Sequence, residues 1–287
     1  MTKNLKKLFW ISLVLFIVGE ISLRLYGFCN APLYFSSKEF EYNTLPNQEG
    51  KRFGKNYKFN EFSQRSNSPS KKKKRILGLG DSVINGGVIT EQDSLATSIL
   101  SKNTPFQVLN ISAGSWGPDN IAAYLHHYGT FKAQKMILVC SSHDSHDNMD
   151  FVPVVGKMSS YPSEQYSLAW IELIDRYLLP RIFGESEANQ TIIKAGIEFN
   201  SGFDSLLKLS KSKKIPFVIY LHPDSEELKQ KKYNEQGIEI MNWANENNIK
   251  IIKGLDYPFS SENYRDNIHL NESGQRILAA ALKPEVN

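Results

Sequence analysis

From residue 75 onward, short unbroken apolar runs alternate with stretches of helical period. The predicted strands are 75–79, 107–111, 135–141, 215–221 and 249–252, and the predicted helices are 94–101, 118–130, 191–211, 225–247 and 272–282. Unbroken apolar runs are typical of parallel strands that are covered on both faces. This alternation therefore predicts an α/β fold: a three-layer, doubly wound, flavodoxin-like domain with a mostly parallel sheet.

The chain length of 287 residues suits one substantial core with a small appendage. We expect residues 75–287 to form the α/β domain. Residues 30–74 are polar and aromatic with little helical period, and they predict an extended stem or linker that packs along this domain. Residues 151–190 interrupt the strand–helix alternation and predict a partly helical insertion, either a cap over a site or an elaboration of the scaffold.

The N-terminal residues 1–29 predict a membrane anchor. Lysines precede an apolar run at residues 8–19, and Glu20 and Arg24 then interrupt an apolar continuation to Phe28. The whole stretch reaches the ~20 residues that span a bilayer, and Glu20 and Arg24 can pair on one helix face. A cleaved signal peptide is the alternative, although no small-x-small cleavage site follows the run. The leading lysines predict a single-pass anchor with an extracytoplasmic catalytic domain.

Charge and cysteine content exclude several classes of partner. The net charge is only +4, and a basic run at residues 71–75 precedes a strand without aromatic interleaving, so we predict a solvated linker end and no nucleic-acid partner. The two cysteines, Cys29 and Cys140, make no disulfide framework, and no zinc spacing is present.

Polar segments fall at the carboxyl ends of three predicted strands, where doubly wound sheets bind ligands. They are residues 80–82 (Gly-Asp-Ser), 110–117 and 141–147. A serine hydroxyl needs a base, commonly a histidine that a carboxylate orients. Asp266 and His269 stand three positions apart before the last helix, so one turn brings both side chains to one side.

Together these segments resemble the motif blocks of the SGNH/GDSL hydrolase family over about residues 75–282. The resemblance implies that Ser82 is the nucleophile, His269 the base and Asp266 its orienting carboxylate. It also implies an oxyanion hole that includes the backbone N–H groups of Ser82 and Gly114; aligned without a gap, Ser115 takes the place of Gly114. The family chemistry requires no cofactor.

The third block departs from the family pattern, which is Gly-x-Asn-Asp. Strand 135–141 leads into Ser142-His143-Asp144, which places His143 where the family has the oxyanion-binding Asn. A neutral imidazole still offers one N–H donor. We therefore include His143 in the predicted oxyanion hole, where its pH response depends on its tautomer.

Other interpretations of these residues are open at this stage. A metal site could use the loop cluster His143, Asp144, His146 and Asp147, but neighbouring positions rarely converge on one ion without other ligands, and we predict no metal. The segment 113–117 imitates a nucleophile elbow, which makes Ser115 the alternative nucleophile. The glycines at 78 and 80 lack the third glycine of a dinucleotide fingerprint, which argues against a nucleotide cradle.

Two further residues are candidates for substrate binding. His222 ends a predicted core strand and either lines the site or is structural, and Trp116 is either a substrate wall or a core aromatic.

The resemblance implies a serine esterase or deacetylase whose partner is an ester-bearing small molecule or polysaccharide, with the O-acetyl groups of a cell-envelope carbohydrate the expected substrate. An O-acyltransferase that uses the same residues and an anchored glycan-binding or assembly protein with an inactive SGNH fold are the alternatives.

Overall fold

The computed structural model describes residues 3–184, 192, 194 and 196–287. An N-terminal helix and two antiparallel hairpins precede the α/β domain. They are α1 (Lys3–Tyr26), β1 (Tyr34–Ser37) with β2 (Glu41–Thr44), and β3 (Gln48–Arg52) with β4 (Lys55–Phe59).

The five predicted core strands form one fully parallel sheet. They are β5 (Lys74–Gly80), β6 (Phe106–Ser112), β7 (Lys135–Ser141), β8 (Phe217–His222) and β9 (Lys250–Lys253), and their spatial order is β6-β5-β7-β8-β9. Numbered within the sheet, this order is 2-1-3-4-5, which is the flavodoxin-like arrangement. The predicted fold class is therefore confirmed.

Helices cover both faces of the sheet. In chain order, the helices that follow β5 are α2 (Ser82–Asn85), α3 (Ala96–Asn103), α4 (Pro118–Tyr128), α5 (Ala169–Leu173), α6 (Leu179–Phe183), α7 (Gly202–Lys213), α8 (Ser225–Gln230), α9 (Glu235–Glu246) and α10 (Glu272–Val286), of which α5 and α6 belong to the insertion. Side chains of β5 divide between two cores: Leu77 and Leu79 pack with α4, α7 and α9, whereas Ile76 packs with α3 and α10. Burial on both faces explains why the strands are apolar without alternation.

The prediction of one continuous helix over 225–247 is wrong. It is two helices, because Lys231 adopts a left-handed conformation (φ 53°) and ends α8. The side chain of Asn234 then accepts from the N–H of Gly237 and caps the start of α9.

The predicted helix over 191–211 begins later than expected. Residues 191, 193 and 195 lie outside the described residues, and α7 begins at Gly202. Asn200 is held instead by the loop after β7, donating from Nδ2 to the Asp147 carbonyl (2.7 Å) and from its backbone N–H to that of Ser145 (2.6 Å). These contacts keep the segment before Gly202 out of the helix.

Residues 30–74, for which we predicted a stem, pack against the α/β domain. Phe40 and Tyr42 join the core on the α4 side of the sheet. Arg65 is buried and donates to the carbonyls of Asn85 and Thr90, at 2.9 Å each. The segment therefore helps to hold the loop that follows α2.

Helix α1 is, within the described residues, the helix that is long and apolar enough to cross a membrane by length and composition. Its 24 residues correspond to about 36 Å, against the ~30 Å of a hydrocarbon core. The expected pair on one of its faces is confirmed, because Arg24 Nε lies 2.7 Å from Glu20 Oε1.

Candidate active site

The turn after β5 presents Ser82 at the carboxyl end of the sheet. Gly80 ends the strand where a Cβ would collide with the carbonyl oxygen of Val139 and lie 2.8 Å from Ile84 Cγ2, so the position needs glycine. The Asp81 side chain accepts from the N–H of Val83 at 2.8 Å and caps the short helix α2. Ser82 is thus the first residue of α2 and remains partly exposed.

A hydrogen-bonded chain joins three of the predicted residues. His269 Nε2 lies 2.9 Å from Ser82 Oγ, and His269 Nδ1 lies 2.8 and 2.9 Å from the two carboxylate oxygens of Asp266. Asp266 Oδ1 also accepts the N–H groups of Ile268 and His269, at 3.0 and 2.8 Å. The loop before α10 therefore orients its own histidine toward the serine.

The charge of Asp266 favours one tautomer of His269. Partial burial raises the pKa of this carboxyl, but the N–H groups of His269 and Ile268 and the neighbouring imidazole outweigh burial and hold the pKa below its ordinary value. An ionised Asp266 favours the tautomer in which the proton of His269 is on Nδ1, because the carboxylate accepts a hydrogen bond from that N–H. The other nitrogen, Nε2, is then free to accept the Ser82 hydroxyl proton. The geometry has the arrangement of nucleophile, base and orienting acid that acyl transfer uses.

The turn after β6 forms the wall beside Ser82. Two tyrosine hydroxyls donate to the carbonyl of Gly114, Tyr42 at 2.9 Å and Tyr161 at 3.2 Å. In a trans peptide the next N–H points the opposite way, so the N–H of Ser115 faces away from the tyrosine pair. Gly114 and Ser115 both line the cavity that contains Ser82.

The structure separates the two candidate nucleophiles by their partners. The Ser115 hydroxyl lies 3.4 Å from Tyr161 Oη, whereas His269, the predicted base, contacts Ser82. Ser115 also has a left-handed backbone (φ 56°) that is unlike the start of a helix. The geometry favours Ser82.

His143 lines the same cavity and faces carboxylates. Its Nε2 lies 3.6 Å from Asp147 Oδ2 and 3.8 Å from Asp81 Oδ2. Burial lowers the pKa of His143, but the charges of Asp144, Asp81 and Asp147 outweigh it and raise the pKa above its ordinary value. Burial in turn raises the pKa of Asp147 to about 6, against the opposing effect of His143. The imidazole is therefore biased toward its cationic form.

The buried carboxyls of Asp81 and Asp144 lie next to each other beneath His143. Burial and the charge of Asp81 raise the pKa of Asp144 well above its ordinary value, and burial also raises that of Asp81. Asp144 Oδ2 accepts the N–H of Ser141 at 2.7 Å, whereas Oδ1 has no hydrogen-bond partner among the described residues. Two such carboxyls share a proton readily, because both cannot ionise at little cost.

The same three side chains are also the residues that could hold a metal. Ligand atoms of Asp81, His143 and Asp144 all lie within 4.8 Å of one another. His146, from the loop cluster considered above, turns away and pairs with Glu239 at 2.7 Å. The candidate ligands thus come from two strand ends and not from neighbouring loop positions alone.

The cavity has a volume of about 750 Å³. Its walls include Asp147, Asp224, Gln236 and Asn267 as well as the serine, the histidines and Tyr161. Many of these groups accept or donate hydrogen bonds, which suits a ligand that carries several hydroxyls. The lining also includes apolar surface from Ile192, Ile268 and the ring of Tyr161.

Trp116 and His222 lie outside the described lining of this cavity. Trp116 is buried in the core and donates from Nε1 to the Tyr42 carbonyl at 3.0 Å. His222 is fully buried and contacts the Ile268 carbonyl through Nε2 at 3.0 Å, directly beneath the loop that carries Asp266. Both support neighbouring residues of the site from behind.

The tyrosines that hold the second block were not among the residues predicted for the site. Tyr42 comes from the hairpin β1–β2 and Tyr161 from the insertion, and neither lies in a motif. Their only signal in the sequence is the aromatic content of segments 30–74 and 151–190.

Comparisons with solved structures find lipolytic proteins. A member of the lipolytic protein G-D-S-L family from Veillonella parvula DSM 2008 is 14% identical, with 72% of this chain and 95% of that chain covered at a TM-score of 0.43. The lipase/acylhydrolase from Enterococcus faecalis is 10% identical, with 74% and 95% covered at 0.44. The acetyl xylan esterase AlAXEase is 12% identical, with 74% and 100% covered at 0.43.

No protein-family model matches the sequence, and no curated protein matches it significantly. The solved structures named above are similar to this chain in fold. The roles of individual residues rest on the geometry of this chain itself.

Proposed function

We propose that this protein is a serine esterase of the SGNH/GDSL type. One observation carries the proposal: the continuous hydrogen-bonded chain from Asp266 through His269 to Ser82, which lines a cavity of about 750 Å³. A serine that is merely structural has no need of an imidazole that a carboxylate orients. This arrangement supplies a nucleophile, a base and a group that stabilises the charged base.

In the first half-reaction, Ser82 Oγ attacks the carbonyl carbon of the ester. Its proton passes to His269 Nε2, and Asp266 stabilises the imidazolium that forms. The tetrahedral intermediate then collapses. The bond to the alcohol oxygen breaks, His269 returns its proton to that oxygen, and the acyl group remains on Ser82.

The developing oxyanion would be held by the backbone N–H groups of Ser82 and Gly114, with the N–H of Ser115 as the alternative to Gly114, and by His143. A cationic His143 would donate with a full charge, and charge-assisted hydrogen bonds to an oxyanion are stronger than neutral ones. The carboxylates around His143 thus favour its cationic form, in which the imidazole can donate to the oxyanion as the family's asparagine does.

In the second half-reaction, water attacks the acyl-enzyme while His269 takes its proton. The exposure of the site supports hydrolysis over transfer, since the side chain of Asp266 is 54% exposed and that of His269 is 31% exposed. Solvent can therefore reach the acyl carbon. An acyltransferase that uses the same residues must place its acceptor alcohol where this water stands.

We infer that the substrate is an O-acetylated carbohydrate. The cavity walls offer the carboxylates of Asp147 and Asp224 and the amides of Gln236 and Asn267 to sugar hydroxyls. With α1 in the membrane and its lysines in the cytoplasm, the site would face the cell envelope. A cell-envelope glycan is then the accessible polymer.

A fluorophosphonate probe tests the nucleophile. The wild-type protein should react at one serine, and Ser82→Ala should lose the label while its circular dichroism and melting temperature stay unchanged. Ser115→Ala is the matched control, because Ser115 lines the same cavity, and it should keep the label. Loss of labelling in Ser115→Ala with retention in Ser82→Ala would reverse the assignment.

Product analysis separates the three possible activities. Incubation with an acetylated glycan, with and without a second unacetylated glycan, should release acetate in both cases. Acetate that appears on the second glycan instead would show a transferase. Glycan binding without acetate release and without probe labelling would show a binding protein that has an inactive SGNH fold.

A further inference from the structure

The insertion contains a helix whose apolar side faces outward. This insertion helix comprises residues 169–183, which are α5, a π-helical turn at Ile174–Leu178, and α6. Ile182 is 69% exposed and Phe183 80% exposed. The exposed apolar residues, at helical spacing, are Leu168, Ile171, Ile174, Leu178, Leu179, Ile182 and Phe183.

The opposite side of the insertion helix packs against the protein, where Ala169 and Glu172 are buried. Glu172 is 1% exposed; it pairs with Arg52 and accepts the N–H of Cys29 at 2.5 Å, and Arg176 lies 3.4 Å from it. A helix on the surface of a water-soluble domain has the reverse pattern, with charges outward and leucines inward. An apolar patch of this kind marks a contact surface.

The insertion helix is joined to α1 by specific contacts. Glu20 of α1 accepts the N–H groups of Ala169 and Trp170, at 2.9 and 3.2 Å, and so caps the start of the insertion helix. Trp170 stacks on Phe16 and donates from Nε1 to its carbonyl at 3.0 Å. Gly19 permits this approach, since a Cβ there would collide with the Trp170 ring.

We propose that the insertion helix lies in the membrane interface beside α1, so that the protein contacts the lipid bilayer through two elements. Its 15 residues correspond to about 22 Å, which is too short to span the bilayer and suits a helix at the boundary of headgroups and acyl chains. The exposed Arg181 sits on the same helix, where it can meet lipid phosphates.

Lipid is the occupant that the structure favours, because the patch is continuous with α1. The large apolar side chains of α1 are themselves exposed along its length, and none of its residues is buried. The insertion helix packs on the C-terminal half of α1, at Phe16 to Glu20. Whatever covers α1 there also meets the insertion helix, and a bilayer covers both at once.

Spin labels on the full-length protein in phospholipid nanodiscs test the proposal. With Cys29→Ser as background and the buried Cys140 left in place, nitroxides are attached at Ile182→Cys or Phe183→Cys. The matched control is Ile238→Cys, an exposed isoleucine on α9 of the α/β domain. Accessibility to oxygen, which concentrates in lipid, is compared with accessibility to a water-soluble nickel chelate.

We expect the labels at 182 and 183 to be accessible to oxygen and protected from nickel, and the label at 238 to show the reverse. Nickel accessibility at 182 and 183 equal to that at 238 would overturn the proposal. Protection from both reagents, with dipolar coupling between labels on different molecules, would also overturn it and show a contact between copies. If a variant melts at a lower temperature, Ile171→Cys and Leu178→Cys replace it on the same side.

Discussion

His269 Nε2 lies 2.9 Å from Ser82 Oγ, although 187 positions separate the two residues in the chain. The sheet makes this contact possible, because Ser82 follows its β5 strand and the loop of His269 reaches the same carboxyl edge. The remaining groups of the site converge there for the same reason.

Replacement of the orienting carboxylate should slow the reaction without unfolding the protein. In Asp266→Asn the amide no longer stabilises the imidazolium or selects the Nδ1–H tautomer, so kcat for an acetyl ester should fall by roughly 10²–10⁴-fold. Asp93→Asn, at an exposed aspartate away from the cavity, should keep the wild-type rate. Equal rates in the two variants would remove Asp266 from the mechanism.

Replacement of His143 should reveal its place in the oxyanion hole. His143→Ala should lower kcat by roughly 10²–10³-fold with little change in KM, because a donor that acts on the transition state is lost. His143→Asn, which restores an amide N–H donor, should recover part of the rate. If His143→Ala changed KM alone, the residue would bind substrate and not the oxyanion.

The pH profile should separate the two His143 variants further. Since the charges of Asp144, Asp81 and Asp147 raise the pKa of His143 above its ordinary value, its cationic form persists to higher pH than that of an ordinary histidine and is lost as pH rises through that pKa. Wild-type kcat should therefore decline on the alkaline side, and His143→Asn should lack this decline. A decline that persists unchanged in His143→Asn would assign it to another group.

Buried His222 should make the protein less stable in acid. Burial lowers its pKa to about 4, below the ordinary value of about 6.5 in the unfolded chain. The unfolded state then binds more protons between these values, so the free energy of unfolding falls as pH drops from about 6.5 to 4, by roughly 3 kcal/mol. Urea unfolding at several pH values should show this slope.

The matched variants for this effect are His222→Gln and His126→Gln. His222→Gln should flatten the slope, because glutamine does not titrate, while its amide can still donate toward the Ile268 carbonyl. His126 is exposed on α4, and its replacement should leave the slope as in the wild type. An unchanged slope in His222→Gln would refute the assignment.

Chelation should leave the serine chemistry intact. The proposed steps use only Ser82, His269 and Asp266 with hydrogen-bond donors, and a shared proton suffices to stabilise the carboxyls of Asp81 and Asp144. Fluorophosphonate labelling after dialysis against EDTA should equal that of the untreated protein. Loss of labelling that Zn²⁺ restores would instead assign a cation to Asp81, His143 and Asp144.

The fold was predictable because its signal is local and repeated. Each core strand is an apolar run that both helix layers cover, and the order of strands and helices leaves few parallel topologies open. The same logic predicted that Gly80–Ser82 and the turn at Gly114 would meet at one edge. The break between α8 and α9 escaped prediction, because Lys231 takes its left-handed conformation without glycine or proline to signal it.

The supports of the site could not be predicted from the sequence. Tyr42 and Tyr161 reach Gly114 across 72 and 47 positions, and both come from segments without a regular period. The sequence left two roles open for His222, lining the site or supporting it. The structure shows that His222 is fully buried and contacts the Ile268 carbonyl. Such contacts depend on tertiary packing, which a motif or a hydrophobic pattern does not encode.

Within ten positions of the insertion, Tyr161 contacts the cavity wall and Trp170 contacts α1. The α/β domain is therefore fixed to α1 at a second point and does not hang from it on a flexible linker alone. A domain on a flexible linker samples a wide range of heights above a membrane, and its effective concentration toward any one target is diluted accordingly. With α1 in the membrane, as proposed, the contacts of Tyr161 and Trp170 give the cavity a single height and a single tilt. Ester groups held at that height meet the serine at a steady local concentration, and those on polymers farther out do not.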